Sequence, residues 1–361
     1  MTPRPRLAPS DDAARRRICQ SLRESLIVEA SAGTGKTTEL VNRIVQVLSE
    51  GLTAIDRIVA VTFTHKAAGE LKIRLRQRLD DERARARDGG ELEKADRLES
   101  ALEELEEATI GTIHGFCAQI LRSRPVEARV DPAFEELTEA EAARIYDRAF
   151  QNWFQRQLEQ ESPGLRRGLA RLAWRPDWET GPATEALRAA GKKLIEWRDF
   201  TALWQSEPFD RDAAVRDLLE RARHLWGLAR ACTRTSDGLV SSLRPLRDAL
   251  AWIERGRVAD YDTLEAVLLK LSADLRSGFR KGSGFFSREV TREEVVRSYE
   301  NFQTVLEQFR LEAGVLLACQ LQQEMQSLVT EYTDLKARTG RLDFVDLLLR
   351  TRDLVRDDRT V

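Results

Sequence analysis

Paired cysteines are missing from this sequence: Cys19, Cys117, Cys232 and Cys319 stand singly, without the close spacing that a zinc or iron–sulfur site uses. Four isolated thiols suit a reducing compartment and read as packing residues. An excess of charge of either sign is also missing. With 58 Lys and Arg against 60 Asp and Glu, the formal net charge is −2, which excludes a chain-wide basic surface and confines any nucleic-acid contact to local patches. No stretch of about 18 uncharged apolar residues occurs. No apolar run follows the opening Met1-Thr2-Pro3-Arg4-Pro5-Arg6, so neither a membrane span nor a secretory signal is expected, and the protein is expected in the cytoplasm. Internal repeats and low-complexity tracts are lacking as well.

What the chain does hold is apolar residues, 42% of 361, enough to bury two cores without disulfide staples. A 33% charged fraction dominated by Arg and Glu, beside abundant Leu and Ala, is the mixture of helix-rich proteins. The first third alternates β-like runs with helical patterns, as a parallel sheet covered by helices is written. Residues 25–30 (SLIVEA) read as a buried strand, 36–50 as an amphipathic helix closed by Gly51, and 57–63 (RIVAVTF) as a second strand leading into a helix through Leu71, Leu75 and Leu79. That would complete a strand–helix–strand unit. An acidic helix around 91–107 precedes a third strand, Ala108-Thr109-Ile110, ending at Gly111. From about Pro125 to Arg338 strand-like runs nearly vanish. Leu, Trp and Ala recur there at helical spacing between breaks at Pro163-Gly164, Gly181-Pro182 and 282–284, and the longest pattern covers 291–337. Gly340 stops it before a short helix over 344–353. The expected fold class is α/β, with a large all-helical insertion.

Directly after the first expected strand stands Ala30-Ser31-Ala32-Gly33-Thr34-Gly35-Lys36-Thr37-Thr38, of the form A-x-x-G-x-G-K-T. Glycines at 33 and 35 permit backbone conformations that turn amide N–H groups toward a phosphate, and the helix starting near Lys36 adds the positive end of its dipole. Lys36 would neutralise the β- and γ-phosphates of ATP, and the Thr37 hydroxyl would hold Mg²⁺. These two residues are the expected catalytic contribution, within a nucleotide-binding stretch from Ala30 to Thr38. Ala30 replaces the first glycine of the usual pattern, but a chance turn has no reason to carry Lys36-Thr37 in register at a helix start. A phosphate loop by itself says only nucleotide, since kinases and AAA-type ATPases share it.

Two further segments narrow the class. Val61-Thr62-Phe63-Thr64-His65-Lys66-Ala67-Ala68-Gly69-Glu70-Leu71, continuing to Arg74, resembles motif Ia of the UvrD/Rep/RecB DNA helicases, T-F-T-x-x-A-A-x-E-[ML]-x-x-R. Thr112-Ile113-His114-Gly115-Phe116-Cys117, followed by Leu121-Arg122, resembles their motif Ib, T-I-H-[SG]-F-C. On residue type alone Phe63 reads as the last core residue of its strand, Lys66 as a solvated first-turn residue and His114 as a structural or capping histidine. The resemblance instead implies that Phe63, Thr64, His65, Lys66, Thr112 and His114 line the track of single-stranded DNA, where an aromatic can stack a base and hydroxyls and cations reach phosphates.

Gly340-Arg341-Leu342-Asp343-Phe344-Val345-Asp346-Leu347-Leu348 resembles the L-D-F-x-D-L-L segment by which these helicases return to the ATPase core. The resemblance implies a RecA-like P-loop NTPase core with an incomplete parallel sheet over 1–124. An all-α insertion, domain 1B, would cover 125–339, with a return segment at 340–361. Asp343 is expected as an exposed helix cap and Asp346 on a polar face. The insertion's length and its Trp and Arg content look closer to the RecB/AddA-like branch. Implied with this are an ATP-dependent 3′–5′ DNA helicase or translocase serving repair or recombination, ATP and Mg²⁺ as cofactors, single-stranded or partly duplex DNA as partner, and a nuclease or recombination subunit beside it.

The sequence departs from the pattern twice. Where the family places an adenine-reading Gln, Asp11-Asp12 stand, and they read as helix caps. The chain reaches Arg359-Thr360-Val361 without the family's D-E-x-Q-D, so these residues are expected to bind ATP and DNA rather than to hydrolyse. A non-hydrolysing binding module is the alternative reading.

Overall fold

The computed structural model describes residues 11–31, 33–173, 183–234, 237–276 and 279–357, which are mostly helical with short parallel strand pairs. The chain divides into two compact units, one comprising 135–343 and the other the residues on either side of it.

The first unit begins with α1 (Asp12–Gln20) and α2 (Lys36–Ser49). Val41, Ile44, Val45 and Leu48 recur every three or four residues along α2, which makes one face of that helix apolar and buries it. β1 (Val59–Thr62) leads into α3 (His65–Asp88), α4 (Leu92–Glu103) and β2 (Thr109–Thr112). The strands pair in parallel from Val59 opposite Thr109 to Thr62 opposite Thr112, so α3 and α4 form the crossover that a parallel pair requires. Leu71, Leu75 and Leu79 of α3 and Leu98 of α4 close a common core with the α2 face and Ala60. α5 (Ile113–Ser123) follows β2.

Residues 25–30 are a correction to the expected first strand. They carry no regular secondary structure and pair with no strand among the described residues, and Ile27 is 96% exposed. β-branched residues make a strand only where a neighbour gives them a pleated surface to pack on, and here the paired strands are β1 and β2.

The second unit opens with β3 (Glu135–Glu136), paired in parallel with β4 (Arg341–Leu342). Between them run α6 (Glu139–Glu159), α7 (Pro163–Ala173), α8 (Ala183–Glu196), α9 (Arg211–Ala229), α10 (Gly238–Ser242), α11 (Arg244–Gly256), α12 (Tyr261–Arg276) and α13 (Arg292–Ala337). The expected break at Gly181-Pro182 lies outside the described residues. Thr138 and Glu141 cap α6 reciprocally, and Thr291 caps α13 by accepting from the Glu294 amide at 3.2 Å. At 46 residues, α13 extends about 70 Å. Its Phe302, Leu306 and Phe309 belong to one apolar cluster with Leu218, Leu225 and Leu268, and its Met325, Leu328 and Tyr332 to another with Phe150, Trp153 and Leu187.

A buried ionic layer meets α13 at Ala313. Arg167 donates to both Glu265 oxygens at 2.9 and 2.8 Å, to the Gln320 side chain at 3.0 Å and to the Ala313 carbonyl at 2.7 Å. Arg171 joins it, donating to Glu265 and, at 2.8 Å, to the same carbonyl.

The two aspartates of the return segment are also corrections. Asp343 is buried rather than an exposed cap, accepting from Lys336 and Tyr332 at 2.8 Å each and from Arg198. Asp346, at the start of α14 (Phe344–Asp357), is likewise buried. α14 belongs to the first unit, packed on α5, where the Thr351 hydroxyl donates to the Cys117 carbonyl at 3.4 Å. Among the described residues no helix is long and apolar enough to cross a membrane, and no cluster of His, Cys, Asp and Glu could hold a metal ion.

Candidate nucleotide site and nucleic-acid edge

The segment before the loop is fastened to α2 by Arg43. Its guanidinium donates to the carbonyls of Ile18 at 2.5 Å, Ser21 at 3.1 Å, Leu22 at 3.2 Å and Glu24 at 2.9 Å, satisfying a turn that has no ladder of its own. The loop then reverses through Gly33 (φ 77°) and Gly35 (φ 94°), backbone that side-chain-bearing residues rarely adopt. Ala32 lies outside the described residues. Gly35 occupies the cap position of α2 and offers no side chain there, so the first amides of a 14-residue helix are left for solvent or an anion.

Lys36 folds its ammonium back over the loop, donating to the Ala30 carbonyl at 2.5 Å and the Ser31 carbonyl at 2.7 Å. The Thr34 hydroxyl donates to the same Ser31 carbonyl at 2.8 Å. Thr37 and Thr38 stand exposed in the first turn of α2. Two loop oxygens thus gather on one lysine, at a helix end whose chemistry suits phosphate oxygens.

Asp11 sits at the cap position of α1 without capping it; its carboxylate pairs with Arg15 at 2.9 Å, and that hydrogen bond holds Asp11 below the usual carboxylate range. Burial, then the nearby Glu39, pushes the half-buried Cys19 thiol up, so it is no ready thiolate.

At the other edge, Thr62 opposite Thr112 brings both candidate DNA segments to the carboxyl ends of one parallel pair, the edge where α/β sheets bind ligands. Phe63 is 89% exposed, so it is not a core residue of its strand. The Thr64 hydroxyl is engaged as the α3 cap, accepting from the Ala67 amide at 3.1 Å, while His65 and Lys66 lie exposed in the first turn. Thr112 is buried and accepts from the Gly115 amide at 3.0 Å, capping α5. Thr112→Val is therefore expected to lower stability by about 1 kcal/mol, with Thr112→Ser nearly neutral. Urea denaturation decides it: a valine variant as stable as the original chain refutes the cap.

His114, half-buried, stacks at a tilt on Phe344, ring centroids 4.7 Å apart. Sequence reading missed this contact, as it missed Arg15 and Arg43. Only the four-residue spacing of Asp11 and Arg15 was a local signal; the rest joins residues far apart along the chain.

An uncapped helix end, glycines at positive φ and a lysine at the turn are the features by which phosphate-binding loops of the nucleotide-binding class are recognised. Within that class the family is specific: the model of the UvrD/REP helicase N-terminal domain matches residues 11–361, and the chain belongs to that family. It is 37% identical over 138 residues to an ATP-dependent helicase/nuclease subunit from Pelotomaculum thermopropionicum, covering 38% of this chain and 10% of that protein. The corresponding helicase/nuclease subunits from Heliobacterium modesticaldum, at 36% over 135 residues, and Ligilactobacillus salivarius, at 34% over 151, cover 36% and 42% of this chain and 9% and 12% of their own lengths. The chain thus spans about a tenth of the length of the curated relatives it matches.

Proposed function

We propose that this chain is the ATP-binding portion of an ATP-dependent DNA helicase that translocates 3′–5′, the motor of a RecB/AddA-like helicase–nuclease serving DNA repair or recombination in the cytoplasm. The observation that carries the reading is the loop from Ala30 to Thr38, with Lys36 gathered on two carbonyls, in the same unit as an exposed Phe63 at the carboxyl edge of β1. In this reading the flanking unit is a RecA-like core, residues 1–124 and 340–361, and 125–339 is the helical insertion. The division of the chain into two units supports it, although the units change over at 134/135 and 343/344.

The loop's donor set fits a nucleoside triphosphate: Lys36 would exchange carbonyl for phosphate oxygens, the first amides of α2 would take the remaining charge, and Thr37 would offer its hydroxyl to Mg²⁺. Bound ATP supplies the phosphoanhydride whose cleavage drives movement. Phe63 would stack a base of single-stranded or partly duplex DNA, with His65, Lys66 and His114 toward the backbone, while Thr64 and Thr112 shape the edge as caps. A nuclease or recombination subunit is the proposed protein partner.

Phe63→Ala tests the DNA edge. It is expected to weaken oligo-dT binding about five- to a hundredfold, equivalent to ~1–3 kcal/mol of stacking, with MgATP binding unchanged. Oligonucleotide affinity equal to that of the original chain, read by fluorescence anisotropy, would remove Phe63 from the track.

A further inference from the structure

The phosphate loop is braced from α1. One terminal nitrogen of Arg15 donates to the Thr34 carbonyl at 2.8 Å and to Asp11 at 2.9 Å, and the other to Glu39 at 2.7 Å. Thr34 stands between the two loop glycines. Pinning its carbonyl toward α1 turns the Gly35 N–H the opposite way, because the peptide between them is trans. Glu39 lies in the first turn of α2, 15% exposed, at the helix end that carries Lys36. An acidic side chain there favours the helix but opposes any anion that arrives at the same end. Arg15 cancels that charge.

We infer that Arg15 is a positioning residue of the nucleotide site: it orients the Thr34–Gly35 peptide and neutralises Glu39, so that the loop accepts a nucleoside triphosphate. Asp11, at the cap position of α1 and one turn before Arg15, then serves to steer Arg15 rather than to read a base. The inference rests on the nucleotide-binding reading above.

The test titrates MgATP and MgADP calorimetrically into the full 361-residue chain and its Arg15→Ala, Glu39→Gln and doubly substituted forms, with oligo-dT affinity and the far-UV melt as controls. Arg15→Ala is expected to weaken MgATP about tenfold, the worth of one charge-assisted hydrogen bond, and MgADP less, since repulsion from Glu39 grows with ligand charge. Adding Glu39→Gln recovers most of that loss. Equal MgATP affinity in the original chain and Arg15→Ala overturns the inference and leaves the nucleotide reading standing. Equal losses for both nucleotides with no recovery make Arg15 a structural tie only, and also overturn it. No binding by the original chain defeats the nucleotide reading and the inference together. Should alanine unfold the chain, Arg15→Lys is the variant to read: it keeps charge beside Glu39 without two separate terminal nitrogens, so partial loss supports the inference and full affinity overturns it.

Discussion

Lys36→Ala is expected to abolish nucleotide binding by the 361-residue chain. In the free loop the ammonium is satisfied by the Ala30 and Ser31 carbonyls at 2.5 and 2.7 Å. Removing it takes that donor from the Ala30 carbonyl, leaves the Ser31 carbonyl to the Thr34 hydroxyl, and deprives the site of its compact positive charge for the β- and γ-phosphates. Two charge-assisted hydrogen bonds at about 1.5–3 kcal/mol each amount to a loss of at least about a hundredfold in affinity. A fluorescent ATP analogue reads the binding. The original chain should bind the analogue; binding by Lys36→Ala equal to that of the original chain would sink the assignment.

Glu265→Ala is expected to be the most damaging single change in the helical unit. The carboxylate is fully buried and takes hydrogen bonds from Arg167 and Arg171. Burial already lowers the Arg171 proton affinity, with Glu265 opposing that shift. Deleting the anion takes the carboxylate from two largely buried guanidinium groups and leaves them on the Ala313 carbonyl and Gln320, a change worth about 3–5 kcal/mol when one partner of a buried pair is lost. Urea unfolding followed by tryptophan fluorescence is the measurement, since Trp153 is buried in the same unit. A loss below about 1 kcal/mol would show that water reaches the layer and relieves it.

What could be read from the sequence follows the range of the forces involved. The helix capped by Thr291 was legible because Val295, Tyr299, Phe302 and Leu306 repeat at helical spacing with no partner needed. β1 was legible because its β-branched run also finds a strand beside it. Residues 25–30 carry the same kind of run and no such neighbour, so propensity alone misled there. Asp343 and Asp346 look like cap and surface residues in isolation. Asp343 is buried because Lys336, one helical turn before the return, and Arg198, far earlier, both meet it. At the site, the Gly33, Gly35 and Lys36 signals are local, whereas Arg15 on Thr34 and Phe344 on His114 depend on tertiary approach.

The 46-residue helix α13 is shared property. One cluster holds it by Phe302, Leu306 and Phe309, the other by Met325, Leu328 and Tyr332, and two arginines grip the Ala313 carbonyl along its length. Neither cluster can slip by a turn without tearing the other's contacts or that grip, so the two should melt as one cooperative block, with α13 fixing the register of both.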